Sequence, residues 1–147
     1  MATLLVNIDV PDLEQGITFY TAAFGLHLTR RLGSGFAELL GADAPIYLLE
    51  NSAGTRPFRV GDAAREQTAD SHGLRRYSRH WTPVHLDFVV PDLEAGLARA
   101  LAAGATQEGA VSDHSYGRLV LLSDPFGHGE CLLEFNDQGY DAIASVP

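Results

Sequence analysis

The sequence VPDLEQG at residues 10–16 returns as VPDLEAG at residues 90–96, a shift of 80 positions (90 − 10). Each copy follows an alternating apolar run, at residues 4–10 and 84–90, and precedes a Leu-Leu-Glu tripeptide that ends at Glu50 or Glu134. The shift is longer than the roughly 20–50 residues of solenoid repeats. The repeat therefore predicts two copies of one small module that bury their apolar faces together.

The repeated stretch has the features of a strand that passes into a helix. Alternating apolar residues at 4–10 are typical of a half-buried strand, which Pro11 ends. Asp12 is suited to cap a helix, because its carboxylate accepts N–H groups of the first turn. Apolar residues then recur at helical spacing as far as Phe24, and Gly25 is a natural helix end.

Each module is therefore predicted as βαβββ. The first module, residues 1–50, continues with strands at about 26–32, 35–40 and 45–50. The second module, residues 83–137, has a strand at 84–90, a helix at 93–103 and strands near 106–112, 117–123 and 129–136. Residues 51–82 are predicted as a linker or lid, and residues 138–147 as a tail.

Composition excludes several classes of protein. The net charge of −9 disfavours nucleic acid and favours a cationic small molecule. No apolar run approaches 18 residues, so no membrane span is predicted. A single cysteine, Cys131, and the lack of a charged leader after Met1 predict a reducing, cytoplasmic location.

Strand alternation predicts which side chains face a shared cavity. If the apolar residues of each first strand cover the helix, the residues between them face the other way. Aligning the two Leu-Leu-Glu tripeptides places Tyr47 opposite Cys131. The predicted inner set is Leu5, Asn7, Asp9, Tyr47, His85, Asp87 and Cys131. Unpaired polar groups are costly in a dry core, so this set predicts a wet, polar cavity. A bulge in either strand would instead turn these residues to solvent.

The chain resembles the vicinal oxygen chelate superfamily, which includes glyoxalases, bleomycin-resistance proteins and extradiol dioxygenases. The resemblance lies in the duplicated Asp-capped helix, Phe19-Tyr20 within it, Phe24-Gly25 at its end, and the late turn at 124–127, which reads DPFG. It implies an α+β fold in which two βαβββ modules form cupped, mostly antiparallel sheets. It also implies a homodimer, in which modules of different chains can be exchanged.

The resemblance further implies four metal-ligand positions, two in each module. One is a histidine seven residues before the capping aspartate, and the other is a glutamate on the last strand. Here these positions hold Leu5, Tyr47, His85 and Cys131, so only His85 is a usual ligand. We therefore predict no metal cofactor. The alternative is a divalent zinc, nickel, manganese or iron ion, with His85 as the surviving ligand and Glu130 or Glu134 moved inward by a register shift.

The leading functional hypothesis is a protein that binds a small molecule in the cup without the usual metal site. Asn7, Asp9, Tyr47, His85, Asp87, Cys131 and Trp81 are the predicted ligand-binding residues. The alternative is a metal-dependent glyoxalase-like lyase or dioxygenase acting on a substrate with adjacent oxygens. His85 is then a metal ligand or the catalytic base. A third hypothesis is a structural relative whose cup is filled. The sequence leaves open whether the protein is an enzyme.

Overall fold

The computed structural model describes residues 1–55 and 74–145, so most of the predicted linker or lid lies outside the described residues. The first module contains β1 (Val6–Val10), α1 (Leu13–Phe24), β2 (His27–Arg31), β3 (Phe36–Leu40) and β4 (Ile46–Glu50). The second contains β5 (Leu86–Val89), α2 (Leu93–Ala103), β6 (Thr106–Gln107), β7 (Ser112–His114), β8 (Gly117–Ser123) and β9 (Gly129–Phe135). Neither helix is long and apolar enough to cross a membrane.

Each module folds into one mixed sheet. The first sheet has the strand order β1-β4-β3-β2, and the second has β5-β9-β8-β6, with β7 also paired to β8. The first strand of each module runs parallel to the last, and the other pairings are antiparallel. The predicted α+β class with two mostly antiparallel sheets is confirmed.

One predicted strand is wrong in detail. The strand expected at 106–112 is two short segments, β6 and β7, which pair with the same strand, β8. Between them, Gly109 has a φ of 105°, in the left-handed region that breaks a regular ladder. The chain therefore bends at Gly109 and rejoins the same neighbour three residues later.

Two carboxylates cap the N-terminus of each helix. Asp12 accepts a hydrogen bond from the Gln15 backbone at 2.9 Å, and Asp92 accepts one from Ala95 at 2.8 Å. The glutamate of each Leu-Leu-Glu tripeptide accepts the first N–H of its helix, Glu50 at 2.8 Å and Glu134 at 2.5 Å. These carboxylates satisfy orphan donors at the positive end of the helix dipole. Glu134 therefore caps α2 through its hydrogen bond with Leu93. The alternative in which a register shift moved it beside His85 is wrong.

The two modules share one hydrophobic core. Helices α1 and α2 pack against each other, and Phe24 stacks on Phe88 with ring centroids 3.8 Å apart. Buried side chains of both modules form a single cluster. Beyond β9, a 3₁₀ turn at Gly139–Ala142 places Tyr140 against Phe135 and Tyr116, so the described part of the predicted tail is docked. This packing brings β1 close to the start of β5, and a cavity lies between them.

Candidate functional site

Three predicted residues of the second module converge into one group, here called the cup cluster: His85, Asp87 and Cys131. Asp87 of β5 lies opposite Cys131 of β9 in the parallel ladder. His85 precedes the strand, and its Nε2 lies 3.2 Å from Asp87 Oδ1. One donor atom from each of the three side chains lies within 4.8 Å of the others. Residues two apart on one chain thus reach the same point, because His85 lies before the regular strand begins.

The Cys131 thiol is held in its neutral form. Burial, followed by the negative charge of Asp87, raises its pKa to about 12. Reactive cysteines have a lowered pKa, since the thiolate is the nucleophile. Within the cup cluster, Cys131 therefore acts as a buried neutral group rather than a nucleophile.

A cavity of about 180 Å³, the cup cavity, opens beside His85 and Cys131, whereas Asp87 is not among its lining residues. Its walls include His85 and Cys131, the apolar side chain of Leu121, and Trp81 from the end of the linker. Trp81 is 82% exposed, which is unusual for a large aromatic residue. The predicted residues His85, Cys131 and Trp81 therefore do border one recess.

The end of the linker is fastened over the second sheet. Arg79 makes a bidentate ion pair with Glu108, with N–O distances of 2.5 and 3.0 Å. The His80 backbone N–H donates to Gly127 of the late turn at 3.1 Å. Gly127 is required there, because a Cβ at this position would lie 2.2 Å from the Ser78 carbonyl oxygen. These contacts hold Trp81 at the rim of the cup cavity.

The first module presents a different row of side chains. Across its sheet, Asn7 lies opposite Tyr47, Tyr47 opposite Glu38, and Glu38 opposite Arg30. The Tyr47 hydroxyl donates to Glu38 at 2.5 Å, and Arg30 binds the same carboxylate at 2.8 and 2.9 Å. The hydrogen bond from Arg30, followed by that from Tyr47, lowers the pKa of Glu38 to about 2. The Tyr47 hydroxyl is thus already hydrogen-bonded to Glu38. Leu5 precedes β1 and is exposed.

Glu38 and Arg30 were not predicted as site residues. The available signal was a charged residue within an apolar strand, Phe36-Ala37-Glu38-Leu39-Leu40. An acid at such a position needs a partner, but its partner lies on a neighbouring strand whose register is not readable from the sequence.

Asp9, another predicted ligand residue, is bound by the linker instead. Its carboxylate pairs with Arg75 at 2.6 Å and accepts a hydrogen bond from Asn51 at 2.9 Å. The Asp9 carbonyl oxygen lies 2.7 Å from His128 Nε2, and His128 Nδ1 lies 3.1 Å from His80 Nε2. Asp9 therefore helps to join the first module, the linker and the late turn of the second module.

A second cavity, the inter-module cavity, adjoins the first. It has a volume of about 370 Å³ and lies where the edge of β1 faces the start of β5. Asn7, Asp9 and His85 border it, as predicted for a shared recess, and so do Tyr20 and Glu130. His85 and Glu130 border both cavities, so the two form adjacent chambers.

A buried pair of acids lies behind the inter-module cavity. The Tyr20 hydroxyl oxygen is 2.8 Å from Asp124 Oδ2 and 2.8 Å from Glu130 Oε1. Asp124 Oδ1 accepts hydrogen bonds from the backbone N–H groups of Phe126 and His128 at 2.9 and 2.8 Å. Because tyrosine has one hydroxyl hydrogen, it donates to Asp124 and accepts from a protonated Glu130.

The environment of Glu130 supports this assignment. Burial, followed by the charge of Asp124, raises the pKa of Glu130 to about 8. Its second oxygen, Oε2, is buried and has no hydrogen-bond partner among the described residues. Glu130 therefore bonds to Tyr20 on α1. The ladder pairs Leu86 with Glu130 and Asp87 with Cys131, so the register shift expected to turn Glu130 toward His85 is not present.

Comparisons with known proteins identify the family. The model of the glyoxalase-like domain matches residues 5–133. The uncharacterized protein Rv0887c of Mycobacterium tuberculosis is 27% identical over 86% of this chain and 75% of its own length. Among solved structures, the genomically encoded fosfomycin resistance protein FosX of Listeria monocytogenes superposes with a TM-score of 0.63 at 18% identity, over 94% of this chain and 96% of its own. Lactoylglutathione lyase of Agrobacterium tumefaciens superposes with a TM-score of 0.57 at 17% identity, over 90% and 92%. The chain belongs to the glyoxalase-like domain family of the vicinal oxygen chelate superfamily.

Proposed function

We propose that this protein binds a small organic molecule in the cup cavity. One observation carries the proposal: the cavity combines the polar His85, the apolar Leu121 and the exposed ring of Trp81. Small-molecule sites typically combine an apolar wall with a few polar groups that orient the ligand. Asp87 lies beside His85 and orients its ring, so His85 is the residue we assign to hydrogen bonding or to acid–base chemistry.

We infer that this binding does not use the metal site typical of the superfamily. In the first module, Leu5 has no donor atom and the Tyr47 hydroxyl is engaged by Glu38. In the second module, Cys131 replaces the usual glutamate. A four-position metal site is thus reduced to His85, which alone cannot hold a catalytic ion.

Ligand binding is expected to change the fluorescence of Trp81. Because Trp81 is the only tryptophan and lies at the rim, a ligand that enters the cup cavity will shield it from water and alter its emission. Titrating members of a small-molecule library should give a saturable change, confirmed by calorimetry. His85→Ala should weaken binding about tenfold or more, as expected for loss of a polar contact that the bound ligand covers.

Trp81→Phe is the matched control, because it removes the signal but keeps an aromatic ring. Calorimetry on this variant should still detect the ligand. If no compound in a chemically diverse library gives a saturable response in fluorescence or melting temperature, the binding proposal is wrong.

A second candidate function is metal-dependent, and it rests on the cup cluster. One donor atom from each of His85, Asp87 and Cys131 lies within 4.8 Å of the others, a set that zinc accepts once the thiol is deprotonated. A bound zinc ion would supply a Lewis acid for a substrate with adjacent oxygens, as in a lyase. The dioxygenase alternative would need a redox-active iron or manganese ion instead. His85 and Cys131 would hold the ion, and Asp87 would complete the set.

Metal analysis separates the two candidates. Under the binding proposal, untagged protein analysed by mass spectrometry will contain zinc, nickel, manganese and iron well below one equivalent, and added zinc will not raise its melting temperature. About one equivalent of zinc, lost in His85→Ala and retained in Asp113→Asn, would establish the second candidate instead. Asp113 is a suitable control because its side chain is 88% exposed and lies outside the cup cluster.

The family resemblance also favours a homodimer. Apolar side chains near the facing edges of β1 and β5 remain exposed, among them Leu4, Leu5, Val84 and Val89. Burial of these side chains against a second copy would stabilise an assembly.

A further inference from the structure

Glu130 occupies a buried position in β9. It is 3% exposed, and its strand neighbour Leu132 on the same face is fully buried. Oε1 is occupied by Tyr20, and Oε2 is the one buried side-chain polar atom of the described residues without a partner. Buried polar atoms in native proteins are almost always satisfied, so a partner from outside the chain is expected here.

The inter-module cavity is where such a partner would enter, because Glu130 borders it. Val6, Ile8, Val84 and Leu86 give the cavity an apolar lining. No arginine or lysine is among the described residues that border it. Asp9 is already paired with Arg75, so Glu130 is the acid that a ligand would meet unpaired.

The negative charge of Asp124, close to Glu130, favours a hydrogen-bond donor that carries a positive charge. Tyr20 connects Glu130 to the buried carboxylate of Asp124. Inside a protein, a charge at this distance is screened less than in water. A positively charged donor that approaches Oε2 is therefore stabilised by the charge of Asp124 and favours release of the proton from Glu130, whereas an anion is repelled.

We propose that the inter-module cavity binds the ammonium group of a small apolar amine, with Glu130 Oε2 as the acceptor. An ammonium group supplies three donors and no acceptor, which suits an acceptor oxygen without a partner. The apolar body of the amine lies against Val6, Val84 and Leu86. The inference rests on the proposed small-molecule function. It concerns the adjoining cavity, which shares His85 and Glu130 with the cup cavity, and it names the ligand class and the residue that selects it.

Benzylamine, benzyl alcohol and benzoate are suitable probes, since they share one apolar ring and differ in charge. Calorimetry on the full chain is expected to show benzylamine binding at least about tenfold tighter than benzyl alcohol, with no binding of benzoate. Glu130→Met keeps the length of the side chain, removes both oxygens, and leaves the Tyr20 hydroxyl free to donate to Asp124. It is expected to weaken benzylamine binding about tenfold or more, whereas Asp113→Asn should not.

Circular dichroism will verify that Glu130→Met folds, and Glu130→Gln serves as a second variant that keeps an amide partner for Tyr20. Equal affinity of wild type and both Glu130 variants for benzylamine overturns the inference, as does tight binding of benzoate. If neutral or anionic library compounds change Trp81 emission and benzylamine does not bind, the inference fails and the proposed function stands. If no compound binds, both fail, and Oε2 is satisfied by an ordered water only.

Discussion

Replacing Glu130 with glutamine is expected to raise the free energy of unfolding at pH 8 by on the order of 3 kcal/mol. In the folded protein, burial and Asp124 hold the pKa of Glu130 at about 8, against 4.5 for a free glutamate. At pH 8 the unfolded chain has already released this proton, whereas the folded chain retains it for about half of the molecules. Glutamine is neutral in both states, and its amide N–H can donate to Tyr20 in place of the acid.

The sign of the pH dependence follows from the raised pKa. The stabilisation from protonated Glu130 is fully present below about pH 4.5 and is lost as the pH rises through about 8. Urea unfolding of wild type at a series of pH values should therefore show stability falling over this window. Glu130→Gln should show a flatter profile, and Asp113→Asn should follow the wild type. A wild-type profile as flat as that of Glu130→Gln would contradict the assignment of a protonated, buried Glu130.

Replacing Tyr20 with phenylalanine is expected to lower the free energy of unfolding by about 3 kcal/mol. The change removes only the hydroxyl, yet that hydroxyl contacts both Asp124 and Glu130 at 2.8 Å in the interior. Without it, two buried carboxyl oxygens lose their shared partner. The aromatic contacts of the ring with Phe19 and Phe24 remain, so the loss measures the polar network. Urea unfolding near neutral pH provides the measurement.

A double-mutant cycle with Glu130→Met tests whether the three groups act together. In the Glu130→Met background, Tyr20→Phe leaves only Asp124 Oδ2 without its partner. The second substitution should therefore be less destabilising there than in wild type, by about 1–2 kcal/mol. Phe19→Leu, which removes an adjacent ring but no hydrogen bond, is a control that should show little coupling with Glu130→Met. Additive effects of Tyr20→Phe and Glu130→Met would mean that Tyr20 does not bridge the two acids.

The repeated motif made most of the fold predictable. Strand, proline, capping aspartate and helix follow each other within residues 6–24, and each signal acts on its immediate neighbours. Asp12 reaches Gln15, three residues away, so its role can be read from local order alone. The same holds for Asp92 in the second copy, which accepts a hydrogen bond from Ala95, so local order in the sequence is enough to predict the duplicated module.

The candidate site was predictable only in part. Alternation along the strands correctly placed Asp87 beside Cys131, because a strand has a fixed period of two. It did not reveal that Tyr47 is engaged by Glu38 or that Asp9 is bound by Arg75. Those partners lie on other strands or on the linker, and their positions depend on register and on how the chain returns.

Local interactions, which act over a few residues, thus define the modules, the helix caps and the face on which polar residues lie. Contacts between distant residues define the chemistry: Tyr20 meets Asp124 and Glu130 across separations of 104 and 110 residues. Nothing in the stretch around Glu130 distinguishes it from an exposed strand glutamate. Only the tertiary structure buries this carboxyl beside Tyr20 and Asp124, and that loss of water makes it a neutral acid beside a cavity.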